Sequence, residues 1–252
     1  MIPNPIIQIN NLSKKYKGAD FFSIKELSLT IREGEIQGLL GPNGAGKTSM
    51  ISMMCGLLKP TSGQILIDGL NFKKNGRQIR QSIGLVPQEY SLYPTLTAHE
   101  NLMYFGSMFG LKGDSLKEKI VKNLKELGLD QFKDKKIVTY SGGMKRRVNL
   151  IASMLHHPRI LFLDEPTVGV DVQSKNVIFE HLKMINQSGT TIVYTSHHIN
   201  EAQDFCTRLA ILDHGRILTQ GKPSELIQQT KNANNLEDVF IDLTGKSLRD
   251  YA

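Results

Sequence analysis

The chain has 252 residues, 40% of them hydrophobic, which is enough for one large domain or two small ones with a real core. Its 31 Lys+Arg against 24 Asp+Glu leave a formal charge of +7, which suits polyanions such as nucleotide phosphates, nucleic acid or anionic headgroups and equally serves solubility alone. Cys55 and Cys206 match no metal-ligand spacing and read as reduced thiols, the start MIPNPIIQIN lacks the regions of a signal peptide, and no apolar run approaches the ~20 residues of a membrane span, so neither export nor a membrane-spanning segment is expected.

Short β-like runs alternate with helix-like runs along the chain. IIQIN, IKELSLTI and EIQGLL predict strands, and a helix follows over about residues 47–57. Asp68-Gly69, between GQILI and LNF, predicts a hairpin turn. Between about 91 and 157 the character becomes helical, with Leu116, Ile120, Leu124 and Leu127 of DSLKEKIVKNLKELGL near helical spacing. ILFLD then predicts a strand, followed by a helix over 173–186, the strand TIVYTS, a helix near 199–206 and the strand RLAILD. His214-Gly215 predicts a second hairpin turn. The alternation is that of an α/β protein with a mostly parallel sheet and a helical insertion. KNANN (231–235) reads as a linker, and LEDVFIDLTGKSLRD after it places Leu236, Val239, Phe240 and Leu243 on one helical face.

GPNGAGKT matches G-x-x-x-x-G-K-[ST] in full between an apolar strand and a helix. In it Gly41, Pro42, Asn43, Gly44, Ala45 and Gly46 curl the backbone so that N–H groups point inward, Lys47 adds charge for the β/γ-phosphates, and the Thr48 hydroxyl is a ligand for Mg2+. The dipole of the helix that begins there favours the same anion. A Rossmann loop is excluded by the order of the glycines.

RILFLDEPTVGVD ends a strand in two carboxylates. Asp164 can hold Mg2+ through water, while Glu165 polarises the attacking water; the plain alternative is a pair that ends a strand before the turn at Pro166. TIVYTSHH ends another strand in His197 and His198, where a histidine can bond the γ-phosphate or the water. His156-His157 before Pro158 reads as a solvated helix end.

TYSGGMKRRV sets a serine and two glycines before three cations, a segment suited to close approach of backbone to something negative. Val148, Ile151, Ala152 and Leu155 predict the buried face of the helix behind it, with Lys145 and Arg146 solvated at its start.

With these elements in this order the chain resembles the nucleotide-binding subunit of an ATP-binding cassette (ABC) transporter over essentially its whole length. Tyr16 stands at the adenine-stacking position, Gly41–Thr48 at the Walker A loop with Ser49 after it, and Gln88 at the Q-loop. Ser141, Gly142, Gly143 and Met144, preceded by Tyr140, stand at the signature, Asp164 and Glu165 at Walker B, Asp171 at the D-loop and His197 at the switch histidine. Tyr140 and Met144 depart from the usual L-S-G-G-Q, as Val168 and Val170 depart from S-G-L-D.

The resemblance implies a P-loop NTPase (RecA-like) core with an antiparallel β subdomain and an inserted helical subdomain. It implies a cassette over 1–230 with the insertion at about 91–157, and a linker and amphipathic helix over 231–252. The cofactors implied are ATP and Mg2+, with Thr48, Gln88 and Asp164 on the metal and Glu165 and His197 catalytic. It also implies a head-to-tail homodimer or heterodimer in which Ser141, Gly142 and Gly143 close on the partner's ATP. A membrane permease is implied as well, of the ABC-2 type and mostly an exporter, which would hold the chain at the cytoplasmic face of the membrane.

QEYSLYPTLTAHENLMYF is either core or the place where that permease docks, and the C-terminal helix is either a subfamily mark or packed on its own domain. The rival reading is a soluble ABC ATPase acting on nucleic acid or ribosomes. Such proteins usually carry two cassettes or a long coiled-coil insertion, which this sequence lacks, so nucleic acid is not the expected partner. A P-loop GTPase or kinase has no use for SGGM, and no N-K-x-D guanine signal is present.

Overall fold

Apolar residues recurring along PIIQINNLSKK make the first strand, β1 (Pro5–Lys15), which pairs antiparallel with β2 (Phe22–Arg32). Asn11 and Glu26, both at left-handed φ, accompany the register shift that lets Ile9 and Leu12 both stay buried. The run IQGLL is β3 (Ile36–Leu40), buried at all five positions as a strand covered on both faces must be, and α1 (Lys47–Met54) follows it. β4 (Ser62–Ile67) adds to the other edge of β1, giving an antiparallel sheet in the order β2-β1-β4.

Asp68 and Gly69 make the expected turn with φ of 51° and 71°. The returning strand shrinks to a single bridge, Ile67 to Leu70, because α2 (Phe72–Ser82) begins at once. No hydrophobic period announces α2, whose only buried residue is Ile79.

The structure is a computed structural model that describes residues 4–245. The chain up to Arg80 and from Thr191 onward makes one compact unit, and Gln81–Thr190 makes the other.

The second unit opens with β5 (Ile83–Val86). Then come α3 (Ala98–Met108), α4 (Gly113–Glu126) and α5 (Gly142–Met154), which pack on one another. Thr97 and Glu100 close a reciprocal cap at the start of α3, and Leu116, Ile120, Leu124 and Leu127 are buried as their spacing predicts. β6 (Ile160–Asp164) lies parallel to β5, and α6 (Val172–Gln187) follows.

The first unit resumes with β7 (Thr191–Ser196), α7 (Ile199–Phe205), β8 (Arg208–Asp213), β9 (Arg216–Gly221), α8 (Pro223–Gln229) and α9 (Leu236–Thr244). β3 lies between β7 and β8, parallel to both, and β9 returns antiparallel to β8 through the His214-Gly215 hairpin. A mixed sheet and an antiparallel sheet in one unit are the α/β arrangement expected.

On α9, Leu236, Val239 and Phe240 are buried against α7 and α8, and Gln203 accepts the Leu236 amide. This helix packs on its own unit. Leu243 is exposed, contrary to its predicted place on the buried face; it lies in the last turn of α9, just before the left-handed cap at Gly245. The rest of the predicted face, past Gly245, lies outside the described residues.

Candidate functional site

In the first unit the phosphate loop leaves the carboxyl end of β3. A Cβ on Gly41 would lie 2.4 Å from the Leu212 carbonyl oxygen, so only glycine fits there. Gly44 and Gly46 have φ of 82° and 105°, and Gly46 starts α1 with no side-chain cap hydrogen bond, so the positive end of the helix dipole lies at the loop. Asn43, Gly44 and Thr48 are exposed, Ala45 is buried, and Pro42 is half-buried.

Buried Lys47 donates from Nζ to the carbonyls of Gly41 at 2.8 Å and Pro42 at 3.2 Å. Tyr16 is brought to the same place. Its hydroxyl lies 3.0 Å from Ser49 Oγ, which lies 3.0 Å from Ser23 Oγ, so a hydroxyl chain fixes one end of the exposed ring. Ser23 belongs to no motif, so no spacing in the sequence points to it.

The register of β3 with β7 sets Leu40 opposite Ser196. Gly41 and His197 therefore leave the same sheet edge, where open α/β sheets bind ligands. His197 is half-buried, whereas its neighbour His198 is the exposed N-cap of α7, its amide donating to Ser196 Oγ.

In the second unit Asp164 and Glu165 are both buried at the end of β6. Glu165 has φ of 48°, a left-handed conformation rare for a residue with a side chain and concentrated at functional sites. Ser141 is the N-cap of α5. Its Oγ accepts the Met144 amide at 3.3 Å, so the hydroxyl proton stays available to a further acceptor. Tyr140 is buried and donates to the Phe132 carbonyl, and burial pushes its phenol up to about 12.

A Cβ on Gly143 would lie 2.4 Å from Ser174 Oγ and 3.0 Å from Asp171 Oδ2. The second signature glycine is thus demanded by α6, whatever else approaches. Asp171 caps α6, and the Ser174 amide bonding to it holds its carboxyl below the usual range.

Two expectations fail in this unit. Arg146 is not solvated but 3% exposed, its Nη1 and Nη2 donating to the carbonyls of Pro87 at 2.8 Å and Gln88 at 2.7 Å. Two hydrogen bonds from a charged donor, each worth roughly 1.5–3 kcal/mol, are what make that burial tolerable. His156 likewise is not a solvated helix end. It stacks on Phe109 with ring centroids 3.7 Å apart and bonds the Ile83 carbonyl, and burial pulls its pKa down. The predicted face of Val148, Ile151, Ala152 and Leu155 is buried. Cys55 and Cys206 are buried thiols outside any disulfide, and burial pushes the Cys206 thiol up.

Among the described residues no group of three or more His, Cys, Asp or Glu could hold a metal by itself. Mg2+ is commonly bound through one or two protein ligands together with substrate phosphates, and Thr48, an exposed residue in the first turn of α1, suits such an arrangement. Among the described residues no helix is long and apolar enough to cross a membrane.

Residues 24–168 match the ABC transporter family, and the chain belongs to it. It is 42% identical to the linearmycin resistance ATP-binding protein LnrL of Bacillus subtilis, over 97% of this chain and 76% of that one. It is 38% identical to the Nod factor export ATP-binding protein I of Cupriavidus metallidurans, over 88% and 73% of the two chains. The dimeric, post-hydrolysis structure of the cassette MJ0796 bound to ADP and Pi superposes with a TM-score of 0.78 at 31% identity, covering 86% of this chain and 98% of that one. This chain is an ATP-binding cassette that hydrolyses ATP with Mg2+ and serves a transporter as its motor.

Proposed function

We propose that the chain drives export, closing head to tail with a second cassette, its own copy or a relative, around two ATP molecules. Residues 1–230 form the cassette, with its helical part inserted at about 91–157 and a linker and helix after it. Tyr16 stacks on adenine. Gly41–Thr48 and Ser49 hold the phosphates; Thr48, Gln88 and Asp164 hold Mg2+, which neutralises phosphate charge. Glu165 takes the proton of the attacking water, and His197 orients the γ-phosphate. Ser141, Gly142 and Gly143 meet the ATP of the partner, and Asp171 lies at the same junction.

The observation that carries this reading is the start of α5. Ser141 caps its helix by accepting, so its proton remains to be donated, and it stands exposed at a positive helix end, which suits a phosphate brought to it.

An ABC-2-type permease is the expected membrane partner, holding the chain at the inner face of the membrane. Tyr93, Tyr104 and Met108 are exposed before and on α3, with the Tyr93 and Tyr104 rings 5.1 Å apart edge to face. Exposed aromatic side chains in contact support a docking surface. The resistance and export relatives support the direction of transport and disfavour a nucleic-acid role.

The test is mass in solution with Glu165→Gln, which binds without turning over. ATP should convert monomer to dimer and ADP should not; a monomer under both would refute the closing mechanism.

A further inference from the structure

One face of α5 is polar, and all of it is engaged by residues 85–91. Gly142, Arg146, Asn149 and Ser153 recur at helical spacing. The Tyr90 hydroxyl donates to the Gly142 carbonyl at 3.2 Å, and the Ser91 amide donates to Asn149 Oδ1 at 3.4 Å. Ser153 Oγ donates to the Leu85 carbonyl at 2.6 Å. Between them the Arg146 guanidinium grips the Pro87 and Gln88 carbonyls and lies 4.9 Å from the centre of the Tyr90 ring.

Arg146 uses its fork on main-chain carbonyls, and its Nε has no acceptor among the described residues. Burial pulls its pKa down, against the pull of Tyr90 and Asp164, and a guanidinium remains charged all the same. A well-packed apolar side chain would hold the same space at less cost in desolvation, so a buried cation here asks for a reason. The reason is the loop it grips.

We propose that Arg146 is a positioning residue for Gln88: by fixing two successive carbonyls it gives the Gln88 side chain one approach to the metal and makes the Q-loop and the start of the signature helix move as one body. This rests on the reading of Gln88 as a Mg2+ ligand. Arg146 itself touches neither nucleotide nor metal in this scheme; it acts through the backbone of residues 87 and 88. Tyr90 makes the grip two-sided, because its hydroxyl holds the carbonyl of Gly142 while its ring lies under the guanidinium.

Two measurements separate the grip from the role of Gln88. The first is hydrogen exchange in nucleotide-free protein. Arg146→Met should speed exchange of the Ser91 amide, which is bonded to Asn149 Oδ1 on the gripped face, by at least ~10-fold while β7 is unchanged, because freeing the loop releases that bond and each lost bond to a charged donor is worth about that factor. Arg146→Lys keeps the charge but not the fork, so it should loosen the same amide less, and it carries the test if Arg146→Met does not fold. Unchanged exchange at Ser91 in the variant that folds overturns the proposal, whatever Gln88 does.

The second is the Mg2+ concentration that half-saturates ATPase activity. Arg146→Met should raise it ~10-fold, the usual scale for losing a group that orients a metal ligand. Gln88→Ala should raise it as much or more, and the double mutant should be no worse than Gln88→Ala alone, because the two act in series. A raised requirement in Gln88→Ala but not in the Arg146 variants overturns the positioning role. An unchanged requirement in Gln88→Ala removes Gln88 from the metal and overturns the reading on which the role rests, while the exchange result still decides the grip.

Discussion

Lys47 donates from Nζ to the carbonyl oxygen of Gly41 at 2.8 Å, so the cation of the phosphate loop is held by the loop's own backbone. A phosphate offers it a charged acceptor in place of a neutral one, and charge-assisted bonds are about twice as strong. Lys47→Ala should weaken ATP binding by roughly 10–100-fold, the worth of one or two such bonds. Equilibrium titration decides: unchanged affinity would remove Lys47 from the site.

Glu165→Gln keeps the shape of the side chain and loses its basicity. Turnover should fall by at least ~10²-fold with ATP still bound, the scale of general-base catalysis. Turnover at the wild-type rate would mean that another group takes the proton.

His197→Ala should bind ATP normally and hydrolyse it poorly, because its place at the end of β7 suits orientation of the phosphate rather than grip on the nucleotide. His198→Ala is the control, since that residue is an exposed helix cap. Greater damage from His198→Ala would reverse the assignment.

Gly143→Ala forces a methyl to within 2.4 Å of Ser174 Oγ and 2.8 Å of its Cβ. Overpacking of this kind costs about 1–3 kcal/mol, so the melting temperature should drop several degrees. Ser174→Gly in the same chain should restore part of the loss. Strictly additive losses in that cycle would show that the crowding lies elsewhere.

His181 on α6 is buried, and neither ring nitrogen has a hydrogen-bond partner among the described residues. Burial holds its pKa below the ordinary 6.5, against a smaller upward pull from Glu126. The unfolded chain therefore binds a proton that the folded chain resists. Stability is complete above pH 6.5 and drains as pH falls below it toward the lowered folded value. His181→Leu should raise the melting temperature at pH 7 and flatten its decline between about pH 6.5 and 5. An unchanged slope in thermal melts would contradict this.

The phosphate loop and the strand-end acids were legible because their chemistry needs fixed residue types at fixed spacing. Apolar periodicity found the α4 face and one face of α5. It could not find the polar face of α5, because the partners of Arg146 are main-chain carbonyls 59 and 58 residues away, to which a periodicity reading is blind. A cation at a helix start is taken as solvated by default. His156 failed for the same reason, its neighbour Phe109 being remote in sequence and near only in space. In α2, Asn75 leaves helical geometry and Ile79 is the single buried residue, so no pattern existed to be read.

The central claim is that Ser141, Gly142 and Gly143 serve the ATP of a partner chain. Ser141→Arg puts a bulky cation at the exposed start of α5 and leaves every residue of the phosphate loop unchanged. The deciding measurement is ATP binding by this variant as a dilute monomer, beside its mass at saturating ATP in the Glu165→Gln background. The account predicts ATP affinity near that of the unmodified chain and no dimer. Loss of ATP binding by the dilute monomer would show that the signature touches its own chain's nucleotide, and would contradict the shared site.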